Sequence, residues 1–345
     1  MPGVDKTDAV NRLLLDRIQR SFPLVSTPYD ALAKGLGIGE EEVRERIRYL
    51  KESKQVRQIS AIFNTGALGY RSSLVAMAVA EERLEKASRA INAYPGVSHN
   101  YLRPAHYNMW YTIAVPPGRS LENVVAALSQ AAGNCPTLIL PALRKYKLAV
   151  VLDVLEEGEG EVPVEYSGVP MTEASTAFFP TSENVRIVRC IQDDLPLAEK
   201  PFAVWGESLG MTEQRLLDYI LAWLDQGLMR RFAAVLNHRQ VGFSANGMLV
   251  WACPEKAIDE RGKILSTHPE VSHCYHRPSH PQWPYNLYAM IHGRTERDCR
   301  TIAGRLGDAI RLPDYRILFS TREFKKIRLK LFWEEAPDKV QRDER

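Results

Sequence analysis

Two copies of one pattern lie along the chain, and this duplication limits the fold more than any other feature. The stretch 97–110 (VSHNYLRPAHYNMW) returns as 271–288 (VSHCYHRPSHPQWPYNLY), with extra residues in the loop of the second copy. The segment 56–64 also aligns without gaps on 229–237. Because similarity at a nearly fixed shift indicates an internal repeat, we expect two halves with the same fold.

Each half begins with three predicted helices, and a predicted strand follows them. In the first half, apolar residues at helical spacing predict helices at 10–21, 28–36 and 40–54, followed by a strand at 56–64. Thr27 and Pro28 are typical of the start of the second of these helices. The second half repeats the order, with predicted helices at 185–192, 202–209 and 212–227 and a strand at 229–237. Three short helices followed by a β-wing indicate a winged helix-turn-helix in each half.

A second, sheet-containing domain follows each winged helix. Buried-type strands and amphipathic helices alternate in the order strand, helix, strand, strand, helix, strand, which is the ferredoxin-like βαββαβ arrangement. The stretch 154–184 is rich in Glu, Gly, Pro, Ser and Thr, which predicts a polar linker. We therefore predict an α+β tandem duplication, with winged helix-turn-helix domains at 1–66 and 185–240, ferredoxin-like domains at 67–153 and 241–335, and the linker at 154–184.

Composition and charge argue against several classes of protein. A net charge of +3 is too small to indicate nucleic-acid binding by itself. No apolar run reaches 18 residues, and the N-terminal residues lack the apolar core of a signal peptide, so we expect neither a membrane span nor secretion. The 5 cysteines are scattered and never have C-x-x-C spacing. This favours reduced thiols in a cytoplasmic protein over a disulfide framework.

The repeated inner strand carries polar side chains on one face. Residues alternate between faces along a strand, so His99, Tyr101 and Arg103 share a face, as do their second-half equivalents His273, Tyr275 and Arg277 at the same spacing. Imidazole, phenol and guanidinium groups are costly to bury without partners. A binding surface is therefore favoured, although either strand histidine could equally be satisfied by a polar neighbour.

Further candidates lie in the loops and on the wings. His106 and His280 directly follow Arg-Pro pairs, where core packing is a poor explanation, so a functional role is favoured. The wing and strand arginines could be surface charges or ion-pair partners. The more specific interpretation is a pocket for a ligand with several carboxylates, which guanidinium groups bind bidentately. Nearby aromatic residues could flank a flat ligand or pack in the core.

Two alternative functions are disfavoured by the residues themselves. His273, His276 and His280 have spacing that a metal site could use. On a strand, however, His273 and His276 point to opposite faces, and no thiolate or carboxylate motif completes the set. Winged helices with this second domain resemble Lrp/AsnC-type transcriptional regulators. The third helix, however, begins with Glu40, Glu41 and Glu42, and these carboxylates would repel DNA phosphates. We expect neither a protein-held metal nor sequence-specific DNA binding.

A more specific resemblance rests on the repeated motif. The run Arg-Pro-x-His-Tyr-Asn-x-Trp at 103–110, preceded by Gly-Val-Ser-His, resembles the signature of siroheme decarboxylases. The second-half segment 231–243 is equally similar to that family. The match covers nearly the whole chain apart from the linker, and the tandem form resembles the fused proteins of heme d1 biosynthesis. Those proteins combine a winged helix with an Lrp-like βαββαβ domain.

The resemblance implies an activity and its partners. It implies removal of the acetate carboxyls at C12 and C18 of siroheme, giving 12,18-didecarboxysiroheme and carbon dioxide. It implies no cofactor, because the iron is part of the siroheme substrate, and an intramolecular pseudo-dimer formed through the two sheets. An alternative heme pathway uses the same reaction. A transcriptional regulator, a non-catalytic heme-binding sensor, further homo-oligomers and complexes with related decarboxylase subunits remain open.

The candidate site residues follow from the motif and its repeat. The predicted catalytic residues are His106, Tyr107, His238 and His280. The predicted substrate-binding residues are Arg57, Tyr101, Arg103, Asn108, Trp110, Arg230, Arg231, Tyr275, Arg277, Tyr285 and Asn286. The halves are not exact copies, since Thr65-Gly66 stands where the second half has His238-Arg239. Which half is catalytic, and which histidine acts as acid or as iron ligand, stays open.

Overall fold

The computed structural model describes residues 9–148, 177–236 and 245–333. The first half contains, in chain order, α1 (Ala9–Arg20), α2 (Pro28–Leu36), α3 (Glu40–Glu52), β1 (Val56–Phe63), β2 (Arg71–Met77), α4 (Leu84–Asn92), β3 (Val97–Leu102), β4 (Met109–Val115), α5 (Leu121–Ala132), β5 (Thr137–Pro141) and β6 (Arg144–Leu148). The second half contains α6 (Ser182–Ile191), α7 (Pro201–Leu209), α8 (Glu213–Asp225), β7 (Met229–Leu236), β8 (Ala245–Trp251), α9 (Ile258–Thr267), β9 (Val271–His276), β10 (Leu287–Gly293), α10 (Glu296–Ala309), β11 (Arg316–Phe319) and β12 (Arg322–Lys326). This order of elements confirms the predicted α+β duplication.

Local chemistry sets where the helices begin and end. Pro28 occupies the first turn of α2, and Gly37 ends that helix in the left-handed region at φ 70°, which glycine adopts without steric cost. Helix α6 begins at Ser182, inside the stretch predicted as linker, because the Thr181 side chain accepts a hydrogen bond from the Asn184 backbone amide. None of the helices in the described ranges has both the length and the apolar character that a membrane span requires.

The two wings form a single sheet, which corrects the prediction of a separate wing in each half. Strands β1 and β7 pair with each other in antiparallel fashion, and Ser60 lies opposite Ala233. These two residues occupy equivalent positions in the repeat, so a pseudo-twofold axis passes between them. Side chains from both helix trios and both wing strands form one hydrophobic core, which includes Leu14, Ile47 and Ile220. The two winged helices are therefore one structural unit.

The two five-stranded sheets exchange strands between the halves. Their strand orders are β12-β3-β4-β2-β5 and β11-β8-β10-β9-β6. Strand β6 of the first half pairs with β9, and β12 of the second half pairs with β3. The basic strand β12 of the second half thus completes the sheet of the first half.

The two sheets pack face to face within one chain, as predicted. Their shared core joins Ala76, Trp110 and Leu140 of the first half to Val250 and other apolar side chains of the second. This interface ties the two halves together through apolar burial, which stabilises by about 25 cal/mol per Å².

Cutting the linker should therefore leave the halves associated. We expect that cleavage at a protease site inserted between 157 and 176 gives two fragments that elute as a 1:1 complex in native buffer. The exchanged strands, the shared wing and the sheet interface all remain after the cut. Size-exclusion chromatography with light scattering would measure this, with the cleaved protein in denaturant as the control for complete cutting. Separate elution of the halves in native buffer would contradict the intramolecular pairing.

Candidate functional site

The polar faces of the inner strands lie at equivalent places in the two halves. Ring centroids of His99 and Tyr101 are 6.1 Å apart, and those of His273 and Tyr275 are also 6.1 Å apart, at nearly the same tilt. The opposite face of β3 points to the helices, where Asn100 bonds to the Asn92 side chain at 3.0 Å. Strand alternation therefore presents each histidine and tyrosine away from the helices.

Two cationic clusters form around these strands. The first-half cluster contains Arg57, His99, Tyr101, Arg103 and Lys326, and the second-half cluster contains Lys145, Arg230, His273, Tyr275 and Arg277. The wing strands supply one arginine to each cluster. The charge of Arg57 acts on His99, and the charge of Arg230 acts on His273. The exchanged strands supply the lysines. Lys326 lies opposite His99 on β12, and Lys145 lies opposite Tyr275 on β6.

The most buried cations of the site are Arg103 and Arg277, which are 4% and 8% exposed. Each reaches into the other half: Arg103 Nη1 donates to the carbonyl oxygen of Leu318, and Arg277 Nη1 donates to that of Leu140. The Arg277 guanidinium lies 4.5 Å from the centre of the Tyr275 ring. This arrangement holds both guanidinium groups between the sheets at equivalent positions.

Both arginines keep donor capacity that the protein does not use. Within the described ranges, neither Nε atom has a hydrogen-bond partner, and neither guanidinium is in an ion pair. Burial lowers the pKa of Arg103 to about 10 and also lowers the pKa of Arg277. Burying a charge without a counter-charge is costly. An anionic ligand would remove that cost, so the geometry is suited to bind carboxylates.

The two inner-strand histidines are held neutral at pH 7. Burial, followed by the charges of Lys326 and Arg57, lowers the pKa of His99 to about 4. Burial is also the largest cause for His273, whose pKa is lowered to about 3. The next causes for His273 are His292 and His99, so the two halves of the site influence each other electrostatically. An anionic ligand would oppose these effects and raise both pKa values.

These neutral histidines should make the fold sensitive to acid. Their folded pKa values lie below the ordinary value near 6.5, so as pH falls from about 6.5 towards 4 the unfolded state binds protons that the folded state does not. We expect the free energy of unfolding to fall over this window. Replacing His99 and His273 with Gln should reduce the slope by up to about 1.4 kcal/mol per pH unit for each residue. Urea unfolding at several pH values would measure it, and an unchanged slope in the double variant would contradict the assignment.

Three site residues were not predicted from the sequence. His292 on β10 places Nε2 2.9 Å from Ser272 Oγ, and its pKa is lowered to about 4 by burial and by Lys326. The repeat could have revealed it, because the equivalent first-half position is Ala114. Lys145 and Lys326 reach the site through the strand exchange, which the sequence does not show.

Several predicted binding residues instead hold the motif in place. Asn108 accepts from the Val79 amide at 2.9 Å and donates to the Val79 carbonyl at 2.8 Å. Asn286 makes the same pair of bonds to Cys253, both at 2.8 Å. Since both ends of each amide are engaged with the backbone, we do not carry Asn108 and Asn286 into the proposed site.

The motif aromatics fill the space between the sheets. The buried Tyr107 hydroxyl donates to Gln282 Oε1 at 2.6 Å, and the buried Trp110 indole donates to the Tyr107 carbonyl at 2.7 Å. The rings of Trp283 and Tyr285 are 4.8 Å apart. We therefore propose that Tyr107, Trp110 and Tyr285 pack in the core and the loop. Our proposal does not keep the predicted catalytic role of Tyr107 or the predicted binding roles of the other two.

The remaining predicted residues are His106, His280, Arg231 and His238. His106 is exposed, with its ring 5.0 Å from that of Tyr107. His280 is partly buried, and its Nε2 has no hydrogen-bond partner in the described part of the chain. Arg231 points to the opposite face of the wing from Arg230 and donates to the Gln19 carbonyl at 3.2 Å, so we leave it out of the site. His238 lies outside the described residues.

A metal site held by the protein is not visible where the structure describes the chain. No three His, Cys, Asp or Glu side chains in these ranges lie close enough together to bind an ion.

Comparisons with known proteins cover both halves. The model of the siroheme decarboxylase NirDL-like HTH domain matches residues 11–57 and 184–230. The model of the AsnC-like ligand binding domain matches residues 67–147 and 240–325. Each model matches twice, in agreement with the duplication.

One relative and one solved structure match nearly the whole chain, and a separate subunit matches less than half of it. The siroheme decarboxylase of Hydrogenobacter thermophilus is 40% identical, over 93% of this chain and 95% of that protein. The siroheme decarboxylase beta subunit of Methanosarcina barkeri is 41% identical, over 43% of this chain and 97% of that subunit. A crystal structure of the siroheme decarboxylase NirDL in co-complex with an iron-uroporphyrin III analogue has 35% identity and a TM-score of 0.72, and the match covers 94% of both chains.

Proposed function

The chain belongs to the siroheme decarboxylase family, and from this premise we propose that it removes the acetate carboxyls at C12 and C18 of siroheme. The products are 12,18-didecarboxysiroheme and carbon dioxide, and heme d1 biosynthesis is the pathway we infer. The observation that carries the proposal is the pair of buried guanidinium groups, Arg103 and Arg277, whose Nε atoms have no protein partner in the described ranges. Siroheme carries several carboxylates that can fill those positions.

The roles of the protein groups follow from the reaction. When an acetate side chain loses carbon dioxide, the electron pair of the broken C–C bond moves onto the pyrrole ring system, and the resulting methyl group gains one proton. Arg103, Arg277 and the wing arginines hold the carboxylates of the substrate. His273 and His99 are the proposed proton donors, because bound carboxylates raise their pKa values towards neutrality. The iron belongs to the substrate.

Loop histidines are kept as alternative catalytic residues. His106 and His280 follow the arginines that bind carboxylate in our proposal, and His238 completes the set predicted from the sequence. The described ranges contain no hydrogen bond, ion pair or ring contact between His106 or His280 and either cluster. The inner-strand histidines are therefore our first choice.

One comparison supports an enzyme that works as one chain, and the ion pairs of α3 argue against DNA binding. A beta subunit of another siroheme decarboxylase corresponds to less than half of this chain, so we propose that the intramolecular pseudo-dimer replaces an assembly of two subunits in the cytoplasm. Two arginines of α3 are already paired, with Arg44 2.6 Å from Glu40 and Arg46 2.7 Å from Glu42. Such neutralised arginines are poorly suited to bind DNA phosphates.

Mass spectrometry of one anaerobic incubation tests the function. Purified protein with siroheme should give products lighter by one and then two carbon dioxides. Tight, sequence-dependent retention of DNA without turnover would instead identify a regulator. A shifted absorption spectrum with unchanged siroheme mass would identify a heme-binding sensor.

A further inference from the structure

The second half contains a hydrogen-bonded group that the first half lacks. Ser272 Oγ lies 2.9 Å from His273 Nδ1 and 2.9 Å from His292 Nε2, so one hydroxyl joins two imidazoles on neighbouring strands. The same hydroxyl is 3.3 Å from the Met290 carbonyl oxygen. A serine hydroxyl has one proton to donate and two lone pairs. With its proton on the Met290 carbonyl, it can accept from both rings and so fix the tautomer and orientation of each.

In the first half, the serine beside the inner-strand histidine contacts a threonine hydroxyl instead of a second imidazole. Ser98 Oγ lies 2.9 Å from His99 Nδ1 and 2.9 Å from Thr112 Oγ1. Thr112 is itself 3.4 Å from the same imidazole nitrogen. This network ends at a hydroxyl, whereas that of the second half ends at a second imidazole. Because the two halves share their fold, the first half is an internal control for the second.

Charges around the two imidazoles also differ between the halves. The groups that act on His273 are His292 from β10, His99 from β3, Arg277 directly after β9, and Arg230 from β7. Lys326 from β12 acts on His292. On the exchanged strands, Lys145 stands opposite Tyr275, whereas Glu323 stands opposite Tyr101. The exchanged strands therefore place a cation opposite Tyr275 and a carboxylate opposite Tyr101.

We propose that His292, acting through the Ser272 hydroxyl, is a positioning residue that orients His273 for proton delivery, and that the second half is consequently the main proton-donating side of the site. This inference rests on the proposed function, because it assigns the proton that each decarboxylation consumes. With Nδ1 bonded to Ser272, the imidazole of His273 directs Nε2 towards the ligand side. Once substrate carboxylates have raised its pKa, His273 takes up a proton from solvent at Nε2 and becomes an imidazolium. That proton moves from Nε2 to the methylene carbon as carbon dioxide leaves, and solvent protonates Nε2 again before the next step.

Three variants separate this role from a simple packing role. His292→Leu removes the bond to Ser272, His292→Gln replaces it with an amide that reaches the same hydroxyl, and Thr112→Val is the matched first-half change. We expect His292→Leu to lower kcat by roughly ten- to a hundredfold with little change in KM. His292→Gln should recover most of that loss, and Thr112→Val, which perturbs the His99 network, should lower kcat by less than His292→Leu.

A second readout does not depend on turnover. In ligand-free protein labelled at histidine, the His273 Cε1 resonance should titrate at higher pH in both His292 variants than in wild type, because a neighbouring imidazole that disfavours its charge is gone. The pH profile of kcat should shift in the same direction. If wild type fails to decarboxylate siroheme, the proposed function is wrong, while the titration still decides whether His292 is coupled to His273.

The outcomes that overturn the inference are equally specific. The inference is wrong if His292→Leu turns over siroheme at the wild-type rate, or if Thr112→Val lowers kcat as much as His292→Leu does. It is also wrong if kcat of His292→Gln is no higher than that of His292→Leu. An unmoved His273 titration in both variants would also overturn it. Should the Leu variant fail to fold, the comparison of His292→Gln with wild type in the titration carries the test.

Discussion

Replacing His273 with asparagine is expected to slow siroheme decarboxylation by about 10²–10⁴-fold while leaving the binding of iron-uroporphyrin III within a few-fold of wild type. His273 is the inner-strand imidazole fixed by Ser272 and surrounded by the second-half cations. Asparagine keeps a hydrogen-bonding group beside Ser272 but cannot carry the proton. Single-turnover assays with enzyme in excess, followed by mass spectrometry, would measure the chemical step directly.

Three comparisons make this result specific. His268→Asn changes a histidine at the end of α9, on the helix side of the same sheet, and should leave turnover unchanged. His99→Asn should cost less than His273→Asn, because its half lacks the equivalent of His292. If the double variant of His106 and His280 abolishes turnover and His273→Asn does not, the proton donor lies on the loops and our assignment is wrong.

Replacing Arg277 with methionine is expected to weaken iron-uroporphyrin III binding by roughly ten- to a hundredfold, the equivalent of about 1.5–3 kcal/mol for one charge-assisted contact. The same change should lower the midpoint of thermal unfolding only slightly or raise it, since it removes a buried charge without a protein counter-charge at the cost of one bond to the Leu140 carbonyl. Loss of ligand binding without loss of stability would indicate that this arginine serves the ligand.

An exposed arginine provides the control for this change. Arg300 on α10 is 64% exposed and lies over the Phe319 ring, so Arg300→Met should not alter binding. Arg103→Met tests the equivalent position of the first half. If Arg277→Met binds iron-uroporphyrin III normally and is strongly destabilised, the guanidinium is a structural group and the proposed carboxylate contact is wrong.

Much of the fold could be predicted because it is local. Periodicity, caps and turn residues lie within a few positions of each other, so most helices and strands occur where the repeat indicated. The α2 helix follows directly from Pro28 and Gly37. The resemblance carried by the motif at 103–110 led to the family, which the comparisons confirm.

The partners of the strands could not be predicted, because they are set by contacts between distant parts of the chain. Nothing in the residues of β6 or β12 says that each completes the sheet of the other half, and this exchange delivers Lys145 and Lys326 to the clusters. The same limit explains Asn108, whose amide fits a substrate contact as well as the backbone bonds it makes to Val79. The residues of a motif can identify a family. They do not show which side chains bind the ligand and which form hydrogen bonds that fix the loop.

A crystal structure of this protein with iron-uroporphyrin III would test most directly whether the two clusters form the substrate site. We expect the macrocycle to lie against the inner strands, with carboxylates within hydrogen-bond distance of Arg103 and Arg277 and with His273 Nε2 facing an acetate side chain. A macrocycle bound through the loop histidines, with both buried arginines unchanged and still without an anionic partner, would contradict the proposed site.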